Sequence, residues 1–156
     1  MKKISFILSA FAFVFVVSCN NSGNKNAEQG TDAKVKTKAD SLMDDIMDGH
    51  NFGMGKMSKL SSMEKRVQQA IDSIDKLPGK AKKAAVDYKI DLDSLLTRLK
   101  SAEDGMNSWM DGFNMDSAEN NIELRIKYLE SEKLKVSGVK EKIVTSLQKA
   151  DSLLKH

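Results

Sequence analysis

Cysteine occurs once in these 156 residues, at Cys19; proline occurs once, at Pro78; and histidine twice, at His50 and His156. A single thiol excludes a disulfide framework within the chain. Aromatic residues are also scarce, and four of the six phenylalanines fall within the first fifteen positions. What remains for a folded domain is Phe52, Tyr88, Trp109, Phe113 and Tyr128. A chain so poor in aromatics and in β-branched alternation, yet rich in Lys, Glu, Asp, Leu, Ala and Met, favours extended helices over sheets. No charge of one sign dominates: the formal net charge is +3, and +1 once Lys2 and Lys3 of the leader are set aside. With no basic-aromatic patch, nothing speaks for a nucleic-acid partner.

Catalytic motifs are missing too. Ser58, Ser61 and Ser62 belong to no Gly-x-Ser-x-Gly elbow, and no second histidine accompanies His50 except the terminal one. Carboxylates alternate with lysines along helical faces, which is the pattern of a solvated surface rather than of a glycosidase pair. Lys76-Leu77-Pro78-Gly79-Lys80-Ala81-Lys82-Lys83 reads as a basic turn, not as a phosphate-cradling loop. These absences argue against an enzyme.

The N-terminus is what the chain does have in recognisable form. Lys2 and Lys3 precede an apolar run from Ile4 to Val17, and Val16-Val17-Ser18-Cys19 follows. The run is shorter than the roughly 20 residues of a transmembrane helix and suits a secretory h-region. Residues 1–18 are therefore expected to be a lipoprotein signal peptide, with Cys19 as the lipidated first residue of the mature chain. Acyl chains on Cys19 would anchor the protein to a membrane without a spanning helix. Asn20 is not the aspartate that retains some lipoproteins at the inner membrane, so the cell envelope, and within it the outer membrane, is the expected location. Residues 19–33, rich in Asn, Ser, Gly and Gln, are expected to form a disordered tether.

Beyond the tether the apolar spacing is helical. Ile46, His50, Gly53, Met57, Leu60, Val67, Ile71 and Ile74 mark a first helix over about 34–77, which Pro78-Gly79 terminates. Tyr88, Leu92, Leu95, Leu99, Ala102, Met106, Trp109 and Phe113 alternate by four and three, a coiled-coil-like seam over about 81–114. Ile122, Ile126, Leu129, Val136, Val139, Ile143, Leu147, Ala150 and Leu154 mark a third helix over about 117–154, with Asp116 or Ser117 as its N-cap. Short connections make successive helices antiparallel neighbours. The expected fold is thus all-α, an up-down-up antiparallel three-helix bundle spanning 34–156.

Folding back at Pro78-Gly79 opposes two clusters. Met43, Met47, His50, Met54 and Met57 share one stripe of the first helix. Counting equal distances from the turn sets that stripe against Met106, Trp109, Met110 and Phe113. Thioether and imidazole are soft donors, so His50, Met54, Met57, Met106 and Met110 form a candidate copper set, with Met43, Met47, Trp109 and Phe113 as the surrounding pocket. A Met-rich core layer needs no metal or other cofactor and explains the same pattern. A haem held by His50 and Met106 or Met110 would need more aromatic wall than the chain owns. Gly49, Gly53 and Gly55 each cost the helix about 1 kcal/mol relative to alanine. They mark a kink or a close approach of another group. Asp44, Asp45, Asp48, Glu103, Asp104 and Asp111 make this pole acidic, whereas the Pro78 pole, joined by Lys149 and Lys155, is basic.

Three runs carry a resemblance: His50-Asn-Phe-Gly-Met-Gly-Lys-Met57, Ala102-Glu-Asp-Gly-Met-Asn-Ser-Trp-Met-Asp-Gly-Phe113 and the stretch from Tyr128 to Ile143. They resemble a group of small Gram-negative lipoproteins that carry the label "viral A-type inclusion protein". That group tends to show His-Asp-x-Val-Met-Pro-Lys-Met, so Gly55 stands where proline is common. The resemblance singles out His50, Met54, Met57, Trp109, Met110 and Phe113, and implies no activity. The function expected from all of this is a membrane-anchored, non-enzymatic binding or scaffold module of the cell envelope, with an envelope protein as its partner; the alternative is a periplasmic Cu(I)-binding protein that uses the Met/His/Trp layer.

Overall fold

A computed structural model describes residues 36–155. The signal segment, Cys19, the tether and His156 lie outside the described residues. The described chain is all-helical and contains four helices: α1 (Lys38–Asp75), α2 (Gly79–Ala84), α3 (Val86–Gly112) and α4 (Ile122–Leu153). No helix among these residues is long and apolar enough to cross a membrane.

Local chemistry sets the helix ends. Thr37 caps α1 by accepting a hydrogen bond from the Asp40 N–H at 3.1 Å, while the Asp40 carboxylate accepts from the Thr37 N–H at 3.0 Å. This reciprocal pair satisfies two backbone donors that the first turn leaves open. At the other end α1 stops at Asp75, two residues before the expected limit. The Asp75 carbonyl accepts from Lys82 Nζ at 3.1 Å, and the carboxylate accepts from Lys82 and Lys89. These bonds hold the Asp75 carboxyl below the usual carboxylate range, with Lys89 the larger cause. They also tie the connection down, and the helix expected over about 81–114 is divided, with residues 79–84 forming a short helix of their own. A single residue, Ala85, separates α2 from α3.

The start of α4 differs from expectation as well. Neither Asp116 nor Ser117 caps it. Ala118 has φ 57°, a left-handed conformation that no helix interior tolerates, so helical geometry cannot begin before it. Asn121 is the cap, its side chain accepting from the Leu124 N–H at 3.1 Å.

The three long helices bury the expected stripes against one another. Ile46, Leu60 and Val67 of α1, Leu92, Leu99, Ala102 and Met106 of α3, and Leu129, Val136, Ile143 and Ala150 of α4 have no exposed surface. Each large side chain of this kind contributes about 1.5–3 kcal/mol on burial. Ile122, expected on the same stripe, is exposed at the start of α4. Ion pairs record the order of pairing. Lys38 meets Glu130, Asp45 meets Lys133 and Lys59 meets Asp151, so positions on α1 and α4 rise together. Asp75 meets Lys89, whereas His50 lies against Trp109, so α1 and α3 run in opposite order.

α1 continues without interruption through its glycines. Their role is close approach. A Cβ on Gly49 would lie 3.1 Å from a Val136 methyl, and one on Gly53 would overlap the end of Met106. Gly55 faces open space. Gly55→Ala should therefore stabilise the protein by about 0.5–1 kcal/mol in urea denaturation. Gly49→Ala should show no such gain, because the Val136 methyls would have to move.

Candidate functional site

Trp109 ends the buried seam of α3, and its indole N–H faces the interior. Glu132 of α4 meets it there. Trp109 Nε1 donates to Glu132 Oε2 at 3.0 Å, and Lys135 Nζ donates to Oε1 at 2.7 Å. Glu132 is 3% exposed, so an unpaired carboxylate at this position would be severely penalised; with both oxygens engaged, the charge is compensated.

Around this fixed indole the rings form a row. The His50 and Trp109 centroids lie 5.9 Å apart with planes tilted by 43°, Trp109 stacks on Phe113 at 5.0 Å, and Phe113 on Tyr128 at 6.2 Å. The Tyr128 hydroxyl accepts from the Asn114 N–H at 2.7 Å. Arg125 Nη1 donates to the carbonyls of Met115 and Ser117, each at 3.1 Å. Two α4 side chains thus anchor the loop that follows α3. The result is a recess of about 260 Å³ lined by Met47, His50, Trp109, Met110, Phe113 and Met115. His50 Nδ1 lies 3.2 Å from the Asn51 side-chain oxygen, which accepts from Nδ1 in the tautomer protonated there.

The residues expected to form one metal set divide between different surroundings. His50 and Met110 line the recess; Met54, Met57 and Met106 do not. Met106 has no exposed surface and packs against Gly53, because the seam carries it into the core. Met54 is 42% exposed, on the outer edge of its stripe. Met57 packs partly buried against the core, as does Met43. Met47, Trp109 and Phe113, expected as pocket walls, do line the recess. Met115, Tyr128 and Glu132 were missed. Glu132 falls three residues after Leu129, where the seam requires an inward position, and that spacing was the available signal.

Among the described residues no group of three or more His, Cys, Asp or Glu side chains is arranged to hold a metal ion. Comparison with protein-family models, curated proteins and solved structures returned no match.

A second polar feature lies farther along the α1–α3 contact, where Glu64 approaches Glu103. Burial, then the hydrogen bond and charge of Glu103, push the Glu64 carboxyl up to about 7 from 4.5, against the opposing pull of Lys100. Glu64 Oε1 is buried and, as a carboxylate oxygen, finds no donor. Protonation supplies one, since Glu64 can then donate to Glu103.

Two measurements follow from these contacts. Trp109→Phe keeps the ring but strands Glu132 Oε2, and should cost about 1–3 kcal/mol in chemical denaturation. A loss no larger than that of a surface substitution would show that the bond contributes nothing. For Glu64, the folded state binds the proton more tightly than the unfolded chain. Its contribution is therefore fully present below pH about 4.5 and is lost as pH rises through about 7. Thermal unfolding should show the melting temperature falling across that window, and Glu64→Gln should flatten this part of the profile.

Proposed function

We propose that this chain is a membrane-anchored lipoprotein of the cell envelope, acting as a non-enzymatic binding module. Its body is an up-down-up bundle of three long helices, and its binding surface is the Met-aromatic recess. The anchor reading rests on the Lys2-Lys3 n-region, the apolar run and Cys19. The bundle reading rests on the ion pairs, which rise together between α1 and α4 and oppose between α1 and α3. The resemblance to small Gram-negative lipoproteins points the same way. One observation carries the binding reading: thioethers and rings that could have closed into core instead line an open recess, held in place by Glu132, Arg125 and Tyr128. Met115 at its rim is 53% exposed.

Oxidative footprinting tests this directly. In intact cells treated with peroxide, an occupied recess should slow sulfoxide formation at Met110 and Met115 relative to the purified protein, while Met54 reacts alike in both. Equal rates at all three would remove the binding reading. Fractionation of the same cells should find the chain with membranes, and Cys19→Ser should release it with its helicity intact.

A further inference from the structure

We propose that the recess is a Cu(I) site, with His50 Nε2 and the thioethers of Met47, Met110 and Met115 as its donors. This rests on the reading of the recess as the binding surface and names the ligand.

The donor chemistry comes first. Three thioethers and one imidazole line a single recess, and no carboxylate lines it. Neutral, soft donors suit Cu(I) and serve Mg²⁺, Ca²⁺ or Mn²⁺ poorly. The Asn51 oxygen, 3.2 Å from Nδ1, suits the tautomer in which Nδ1 donates and Nε2 is the coordinating atom. A second contact orients the same ring, which lies against the indole. That indole is itself held by Glu132.

The thioethers meet the other requirement, which is mobility within a fixed frame. Methionine has three rotatable bonds, so partly exposed thioethers can turn inward to complete a low-coordinate site. Met47 and Met110 are partly buried and Met115 is exposed, whereas Met106 is locked in the core. The backbone carrying Met115 does not wander, since its carbonyl accepts from Arg125. The ring of Trp109 beside the recess offers a π face to a bound cation. Asp48 and Asp111, exposed next in sequence to Met47 and Met110, raise the local concentration of cations without entering the recess.

The test uses the full chain with Cys19→Ser, in detergent and without oxygen, so that no thiol competes. Cu(I) is titrated against a competing chelator, and Ag(I) serves as a redox-silent probe for NMR of methyl-labelled methionine. We expect one tightly held Cu(I) per chain, quenched Trp109 fluorescence, and Ag(I)-induced shifts of the Met47, Met110 and Met115 methyls. The triple variant Met47→Leu, Met110→Leu, Met115→Leu should weaken binding by at least about tenfold, whereas Met54→Leu with Met57→Leu should not. Absence of a one-to-one complex, equal losses in both variants, or methyl shifts confined to other methionines would overturn the assignment. Slowed oxidation in cells without Cu(I) binding in vitro would remove copper alone and leave the binding module standing.

Discussion

An indole N–H placed between three helices has to find an acceptor, and α4 supplies one in Glu132, the one carboxylate residue that is buried among the described residues. The Trp109–Glu132 bond answers two demands at once. It satisfies the indole, and it compensates a carboxylate that Lys135 approaches from the other side. Everything at this pole takes its position from the fixed ring. His50 lies against one side, Phe113 stacks on it, and Tyr128 extends the row to the loop.

Small residues make the same pole compact. Gly49 admits Val136, and Gly53 admits Met106, so α1 can approach both of its long neighbours closely. The helical cost of two glycines is offset by burial of the methyls they admit. Farther along, the Glu64–Glu103 contact has the opposite character. There two carboxyl groups meet at one interface, and a shared proton decides whether the contact is favourable.

The loop after α3 is where side chains, rather than backbone periodicity, determine the form. Arg125 holds two carbonyls and Tyr128 holds one N–H, while Ala118 takes a left-handed turn between them. This arrangement brings Met115 to the recess, which none of the three helices could do alone.

Periodicity by itself determined which faces are buried. Leu92, Leu95, Leu99, Ala102, Met106 and Trp109 form the α3 stripe, because spacing by four and three leaves a helix one apolar side. Counting from Gly79 likewise brought His50 opposite the segment that carries Trp109. Periodicity could not separate members of one stripe by depth. On the α1 stripe Met54 is exposed whereas Met57 is partly buried against the core, a difference that depends on the neighbouring helices. Nor did it single out Glu132: the spacing from Leu129 marks an inward position, but a glutamate among lysines looks solvated until its inward partner is known. Only the tertiary structure decided that partner, because a hydrogen bond across 23 residues depends on how two helices face each other, not on the spacing within either.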